Sequence, residues 1–224
     1  MYNNICCKAD NIDEVWMFWY VILVNQNAGD TSRDGDIRGE VINAITEITN
    51  PTNNIMKNDV RKLSMKYAIG EMLWYMSGQP LLKEIQKYGK GWDRMTDDGI
   101  HLNSNYGYCI SRKYGFDQWE WCKKELMKNP NSRRAVIHIK EPSDKESKDV
   151  NCTVCLQFFI RDGKLYCITY MRSNDIWMGF PYDVFQFTNM QILMSMELEL
   201  ELGTYTHIAG SLHLYERNVQ KEVK

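Results

Sequence analysis

Blocks of hydrophobic positions along the chain predict three helices. The apolar run over residues 15–24 predicts a buried first helix. Between residues 59 and 77, hydrophobic side chains recur at close to helical spacing, and Gly78 follows where a C-terminal cap is expected. A third run, residues 184–202, is long and rich in Met, Phe and Leu, and Gly203 follows it as a cap. We expect its methionine-rich face to pack in the core.

Other regions have the patterns of strands and loops. β-prone runs lie on both sides of Asp162-Gly163, a dipeptide typical of a hairpin turn. Near the C-terminus, His213 and Tyr215 are two residues apart in an extended run, so they share one face of it. Residues 25–39 are rich in Gly, Asp and Asn, which predicts a loop whose backbone N–H groups can turn towards a ligand.

Length and charge narrow the class of ligand. A chain of 224 residues, 44% of them hydrophobic, can bury a core as a single domain over residues 1–224. The formal net charge of −2 gives no basic footprint for nucleic acid or an anionic membrane. The apolar run over residues 15–24 follows acidic residues and is too short to span a bilayer. We therefore expect a small-molecule ligand.

The seven cysteines predict free thiols in a reducing, cytoplasmic setting, because they are irregularly spaced and no secretory signal precedes them. Cys152 and Cys155 form a C-x-x-C pair, but they head a predicted strand instead of a helix and point to opposite faces. A zinc site would need a second pair, and Cys6-Cys7 has the wrong spacing. We expect no metal.

Charged residues among apolar ones mark three candidate sites. Glu71 lies inside the second predicted helix, either on its wet face or buried for chemistry, where burial would raise its pKa. Arg133 and Arg134 precede a strand-like run, so they either lie on the surface or each bind a separate anion. Residues 171–183 place an arginine, a serine and two acids around Trp-Met-Gly-Phe. The alternative for that segment is a strand end followed by a helix that Asp183 caps.

Several separated motifs occur in a characteristic order. They are Glu71-x-Leu73-Trp74, Asn105-Tyr106-Gly107, Ser132-Arg133-Arg134, Cys152 before Gln157-Phe158, Arg172-Ser173-x-Asp175, Gly179-x-Pro181-x-Asp183 and Gly210-Ser211-x-His213-x-Tyr215. This set resembles the thymidylate synthase family over the chain from about Arg33 onward. The resemblance implies an α+β fold in which helices flank a mixed β-sheet and one sheet face serves for dimerisation.

Asp183 departs from thymidylate synthases, which carry Asn at this position. In this respect the chain is similar to the deoxycytidylate (dCMP) hydroxymethylase branch, which is typical of phages that modify their cytosine. Thr153, directly after Cys152, is also typical of that branch. An amide matches N3–H and O4 of uracil, whereas a carboxylate accepts from N4 of cytosine and shares a proton with N3. Asp183 therefore predicts a cytosine base.

The resemblance implies hydroxymethylation of C5 of dCMP to 5-hydroxymethyl-dCMP, with 5,10-methylenetetrahydrofolate as cosubstrate. Cys152 would add to C6 as a thiolate and make C5 nucleophilic. Glu71 would manage protons through ordered water, with Asn105 and Tyr106 in the same polar network, and Asp183 would bind the base.

Further residues would hold the two ligands, and the site would be shared between the subunits of an obligate homodimer. The resemblance implies these roles: Arg33, Arg172 and Ser173, with Arg133 and Arg134 of the partner subunit, for the 5′-phosphate; His213 and Tyr215 for the sugar 3′-hydroxyl; Asp175 and Trp92 for the folate.

Three departures keep alternatives open. The chain stops at Lys224, before the C-terminal segment that closes over the folate in this family. Ser211 stands where thymidylate synthases usually carry Asp, and Arg38 competes with Arg33 for the phosphate. The alternatives are a thymidylate synthase that methylates dUMP, a hydroxymethylase for CMP, or a catalytically silent nucleotide-binding protein. The intact Cys152 and Glu71 argue against the last.

Overall fold

The computed structural model describes residues 2–32, 34–142 and 146–219 and has the helices and strands of an α+β protein, as expected. The helices are α1 (Ile12–Val24), α2 (Met65–Ser77), α3 (Leu82–Ile85), α4 (Tyr106–Ser111), α5 (Gln118–Lys128) and α6 (Phe180–Glu197). The strands are β1 (Tyr2–Asn3), β2 (Cys6–Ala9), β3 (Asp30–Ser32), β4 (Gly35–Ile48), β5 (Val136–His138), β6 (Thr153–Arg161), β7 (Lys164–Met171), β8 (Asn174–Asp175) and β9 (Glu201–Tyr215). Among these helices, none is long and apolar enough to cross a membrane.

The chain divides into two compact units. The sheet unit consists of Met1–Leu63 and Arg161–Lys224, and the helical unit consists of Ser64–Ile160. Each unit contains part of the predicted site and is described by itself. The single catalytic domain over residues 1–224 stays a prediction.

Two long antiparallel strands, β4 and β9, form the centre of the sheet unit. They are paired from Ile37 opposite Tyr215 to Ile48 opposite Tyr205. β7 and β8 both run parallel to β9. β1 and β2 run parallel to β4, and β3 runs antiparallel to it. The sheet is therefore mixed, and β9 carries both of the predicted sugar-binding residues, His213 and Tyr215.

Helix α1 is buried against this sheet through two tryptophans. Trp16 and Trp19 are fully buried. A buried indole N–H needs an acceptor, and these donate at 2.8 Å to the carbonyl of Ile176 and to Oγ1 of Thr46. The prediction of a buried first helix is confirmed, with its start at Ile12. The Trp16 bond also fixes the chain directly after β8, where the predicted site begins.

Helix α6 differs from its predicted bounds at both ends. It begins at Phe180 with Pro181 in its first turn, where a missing N–H costs nothing. It ends at Glu197, and Glu199 then takes a left-handed conformation with φ of 55°. Gly203 is therefore no helix cap: it lies in β9, where a Cβ atom would stand 2.8 Å from the Tyr166 ring. The predicted end was too late because leucines recur after the helix, at Leu198, Leu200 and Leu202.

Residues 25–39 contain a hairpin where the sequence predicted a loop. β3 pairs with the start of β4, Ser32 lies opposite Gly35, and Gly35 has a φ of 133°. The hydroxyl of Thr31 donates to Asp36 at 2.9 Å across the pair. The abundance of Gly and Asp marked a tight turn and not an extended loop. Arg33 lies outside the described residues.

Helix α2 of the helical unit is shorter than predicted. Ser64 caps it by accepting from the N–H of Tyr67 at 3.4 Å, so residues 59–64 are not helical. Its predicted C-terminal cap is confirmed, because Gly78 is left-handed with φ of 55°. The predicted turn between β6 and β7 is confirmed as well, with positive φ at Asp162 and Gly163.

Helices α2 and α4 approach closely. A Cβ atom at Gly107 would lie 1.6 Å from the carbonyl oxygen of Tyr75, so only glycine fits. This contact sets α4 against the helix that carries Glu71. In the same unit β5 pairs antiparallel with residues 155–157 of β6, the strand that follows Cys152.

Candidate active site

β8 of the sheet unit brings the predicted ligand residues beside the end of β9. Asp175 is the register partner of His213. The N–H of Ser211 donates to the carbonyl of Arg172 at 3.2 Å. The Arg172 side chain is exposed and Ser173 is half-buried. The strand pairing thus gathers residues of two separate sequence motifs.

His213 and Tyr215 share one face of β9, as predicted. Both are almost fully buried, and their ring centroids are 5.0 Å apart in an edge-on arrangement. Burial lowers the pKa of His213, although the nearby Asp175 and Glu40 carboxylates oppose this shift. The imidazole is therefore neutral near pH 7, with one donor and one acceptor nitrogen, as binding to a hydroxyl group requires.

Glu40 supplies a carboxylate beside the Gly210-Ser211 turn. It lies opposite His213 in the β4–β9 register. The hydroxyl of Ser211 donates to Glu40 Oε1 at 2.5 Å and lies 3.5 Å from Nδ1 of His213. The sequence did not single out Glu40, because its position depends on pairing between strands far apart in the chain.

Asp175 anchors the chain after β8 through one of its two carboxylate oxygens. Its Oδ1 accepts from the N–H groups of Trp177 at 2.8 Å and Met178 at 3.1 Å. Both bonds end on Oδ1, which leaves Oδ2 for another partner. Burial raises the pKa of Asp175, against the opposing effect of those two N–H donors.

Asp183 is not a helix cap. The N-cap position of α6 is Gly179, and Asp183 stands in the first turn, where its own N–H donates to the Gly179 carbonyl at 2.9 Å. Its half-buried side chain accepts a hydrogen bond at Oδ2 from Nδ2 of Asn174 at 2.7 Å. The helix-cap alternative is therefore wrong, and the carboxylate is held by a side chain of β8.

Asn174 in turn contacts His207 of β9, which contacts Tyr205 of the same strand. Its Oδ1 is 3.0 Å from Nε2 of His207, and Nδ1 of His207 is 2.9 Å from the hydroxyl of Tyr205. Tyr205 and His207 are fully buried. The sequence analysis missed all three residues. The available signal was two residues with polar groups at alternate positions on an otherwise apolar strand face, which demands hydrogen-bond partners.

The helical unit buries Glu71, so of the two alternatives its wet-face position is wrong. Only 6% of Glu71 is exposed. Its Oε1 accepts from the hydroxyl of Tyr67 at 2.9 Å, one turn earlier in α2. Trp74 in the same helix packs on Trp92 with ring centroids 5.7 Å apart. The carboxylate therefore belongs to a helix with an aromatic surface, and Trp92 is part of that surface.

Tyr106 and Asn105 have different surroundings. Tyr106 stacks on Tyr75 with ring centroids 5.0 Å apart. Asn105 is fully buried and caps α4, and its amide donates to the carbonyls of Trp74 at 2.7 Å and Gln79 at 3.0 Å. The prediction that Asn105 belongs to a polar network with Glu71 is therefore corrected. Asn105 has a structural role, because it connects the start of α4 to the end of α2.

Cys152 stands one residue before β6 and is half-buried. The seven cysteines are free thiols, and burial raises the pKa of the Cys155 thiol. Among the described residues, no group of three or more His, Cys, Asp or Glu side chains could hold a metal ion.

The arginines fall into two groups. Arg133 and Arg134 are both exposed, and Arg134 lies 3.9 Å from a Glu125 oxygen. Of the alternatives for this pair, a surface position is observed. Arg38 is engaged within the sheet unit: Nε donates to the Val24 carbonyl at 2.8 Å and its guanidinium lies 3.7 Å from Glu216.

Comparison with known proteins identifies the family. The family model described as thymidylate synthase matches residues 21–224. The chain belongs to the thymidylate synthase family. As a member, it is a one-carbon transferase acting on a pyrimidine nucleotide with a folate.

Two solved thymidylate synthases have the same fold. Thermostable thymidylate synthase A from Bacillus subtilis is 24% identical, with a TM-score of 0.75, and the match covers 92% of this chain and 81% of that chain. Thymidylate synthase from T4 phage is 20% identical, with a TM-score of 0.74, over 95% of this chain and 82% of that chain. At this identity the likeness speaks for the fold alone.

Proposed function

We propose that this thymidylate synthase family member hydroxymethylates C5 of dCMP. The observation that carries the proposal is the half-buried Asp183 carboxylate in the first turn of α6, with Oδ2 held by an amide donor. A carboxyl group there accepts from N4 of cytosine and shares a proton with N3. Against uracil it would face O4 acceptor to acceptor, which we expect to cost about 10²-fold in specificity.

Cys152 is the nucleophile of the proposed reaction. Its thiolate bonds to C6 and makes C5 nucleophilic. 5,10-Methylenetetrahydrofolate supplies the one-carbon unit that C5 takes up. The bond between that carbon and the folate nitrogen breaks, so that tetrahydrofolate leaves and the C5 proton is lost. Water then contributes the hydroxyl oxygen, and the Cys152–C6 bond breaks. Glu71 handles these protons through water, and Tyr106 lines the same part of the helical unit.

The residues assigned to the folate fit its chemistry. A pterin presents N–H donors on its edge and a flat aromatic face. Asp175 offers Oδ2 as an acceptor while its Oδ1 is anchored by backbone N–H groups. Trp92 offers an indole that packs on Trp74 and is only partly buried. These two residues would bind and orient the folate.

The remaining roles follow the chemistry of the nucleotide. Arg172, Ser173 and Arg33 bind the 5′-phosphate, with Arg133 and Arg134 of the partner subunit in a homodimer. For the latter pair, exposure on the surface supports a role across an interface. The neutral His213 and Tyr215 bind the 3′-hydroxyl. Arg33 is preferred over Arg38, since Arg38 already bonds within its own unit.

The test supplies methylenetetrahydrofolate with dCMP, CMP or dUMP and identifies the product by mass. We expect dCMP to gain one CH2O group. Formation of dTMP from dUMP, with no reaction on cytosine nucleotides, would overturn the proposal. Turnover of CMP at the same rate as dCMP would leave the base assignment intact and change the sugar assignment.

Two variants test the named residues. Cys152→Ala should abolish turnover while retaining nucleotide binding. Asp183→Asn should move preference towards dUMP by about 10²-fold. Asp162→Asn is the matched control, because Asp162 lies in the turn before β7 with a φ of 51° that Asn also tolerates. It should leave base preference unchanged.

A further inference from the structure

Four side chains of the sheet unit form a continuous hydrogen-bonded chain that ends on the proposed base-binding carboxylate. It runs from the Tyr205 hydroxyl to His207 at 2.9 Å, from His207 to Asn174 at 3.0 Å and from Asn174 to Asp183 at 2.7 Å. Tyr205 and His207 lie on β9, and Asn174 lies on β8, which pairs with β9.

Burial determines the direction of donation. His207 is fully buried, and burial lowers its pKa to about 3, so the imidazole is neutral with one donor nitrogen. The amide N–H of Asn174 faces Asp183, and its carbonyl oxygen faces Nε2 of His207. Nε2–H is therefore the donor to Asn174, and Nδ1 accepts from the Tyr205 hydroxyl. Rotating the amide by half a turn would set its oxygen against the carboxylate.

Gly179 leaves room for the last link. A Cβ atom at this position would lie 3.0 Å from both Asn174 Nδ2 and Asp183 Oδ2. Gly179 has φ of −92° and ψ of −55°, a conformation open to any residue. Glycine is therefore not needed here for its backbone conformation. Its lack of a side chain lets the Asn174 amide and the Asp183 carboxylate approach each other closely.

We propose that Tyr205, His207 and Asn174 are positioning residues that make the two oxygens of Asp183 inequivalent. An N–H donor on Oδ2 favours that oxygen as the unprotonated acceptor, because a carbonyl-type oxygen accepts better than a hydroxyl oxygen. The proton shared with cytosine N3 then resides on the side of Oδ1, and Oδ2 faces the N4 amino group. The inference rests on the proposed role of Asp183 and specifies how that residue distinguishes the bases.

Binding without folate gives the most direct test. Dissociation constants of dCMP and dUMP are measured for the full chain and for Asn174→Ala. We expect the preference for dCMP to fall at least tenfold, with dCMP binding weakened more than dUMP binding. A purely structural role for Asn174 would weaken both nucleotides equally, and that result would overturn the inference.

Two milder variants keep the test decisive if Asn174→Ala does not fold. Tyr205→Phe removes only the terminal hydroxyl, which frees His207 to take the other tautomer, and should lower the preference several-fold. Gly179→Ala keeps all the hydrogen-bonding groups but places a methyl group close to the Asn174–Asp183 hydrogen bond. It should lower the preference for dCMP to a similar extent. Unchanged preference in both would contradict the positioning role.

Thr46→Val is the matched control. Like Tyr205→Phe, it removes one buried hydroxyl group from the sheet. Thr46 lies on β4 opposite His207, but its hydroxyl accepts from Trp19 and is not part of the hydrogen-bonded series that ends on Asp183. Its base preference should equal that of the native protein. If Asp183→Asn changes base preference and Asn174→Ala does not, this inference fails and the proposed function stands. If Asp183→Asn changes nothing, both fail.

Discussion

Asp183 and Glu71, the two carboxylates of the proposed chemistry, are held in contrasting ways. Asp183 accepts from Asn174 on another element. The Asn174 amide is bonded to His207 of β9, and His207 is bonded to Tyr205 of the same strand. Glu71 accepts from Tyr67, which lies one turn earlier in the same helix. The first arrangement depends on tertiary structure, whereas the second forms wherever α2 forms.

The difference matches the two proposed tasks. Base recognition requires a carboxylate with fixed oxygens, since a rotated group would present the wrong pattern of donors and acceptors. Proton transfer through water requires one carboxylate to serve several positions in turn, and the Tyr67 bond comes from the same helix as Glu71 instead of from another element. Variants that separate recognition from turnover can test this contrast.

Glu71→Gln should show the largest effect. It keeps the shape of the side chain and removes its proton-transfer capacity, so we expect kcat to fall by about 10²–10⁴-fold. The dissociation constant of dCMP should change little. Steady-state kinetics and binding without folate measure the two quantities, and Glu120→Gln on α5 is the control. An equal loss of binding would assign Glu71 to recognition instead.

Asn105→Ala should show the next largest effect, on stability. It removes the α4 cap and two bonds to the end of α2, the helix that carries Glu71. We expect a loss of about 2–4 kcal/mol in the free energy of unfolding, measured by denaturant titration. A stable variant with normal turnover would show that α2 keeps its place without this tie.

His207 should make the stability of the protein depend on pH. Its pKa is about 3 in the folded protein and near 6.5 when unfolded, so the unfolded chain takes up the proton first as pH falls. This group alone should cost about 2 kcal/mol between pH 7 and pH 5. His207→Gln should flatten that part of the stability curve. His213 and Asp175 remain in the variant, so the difference between the curves reports His207.

Tyr67→Phe should have the smallest effect. It removes one hydrogen bond to Glu71, worth about 1 kcal/mol, and should lower kcat only a few-fold. Thermal unfolding and kinetics check both values. A loss as large as that of Glu71→Gln would show that the phenol takes part in the chemistry, and the contrast with Asp183 would disappear.

Local patterns in the sequence predicted the features that depend on neighbouring residues. The turn at Asp162-Gly163, the Gly78 cap and the shared face of His213 and Tyr215 all follow from spacing within a few residues.

Features that depend on pairing between distant segments were missed. No local pattern connects Asn174 with His207, because their contact exists only after β8 and β9 are side by side. Glu40 reaches Ser211 only through the β4–β9 register. The predicted end of α6 was too late because leucines at alternate positions continue from the helix into the start of β9.

The pairing of β4 with β9 has a consequence for biosynthesis. Residues 35–48 leave the ribosome well before their main partner, Glu201–Tyr215, has been made. Until then β4 lacks its longest neighbour, and none of the contacts that reach Asp183 through His207 can exist. The hydrogen bonds that hold Asp183 through Asn174 and His207 can therefore form only after β9 is made, and contacts so distant in sequence favour slow folding.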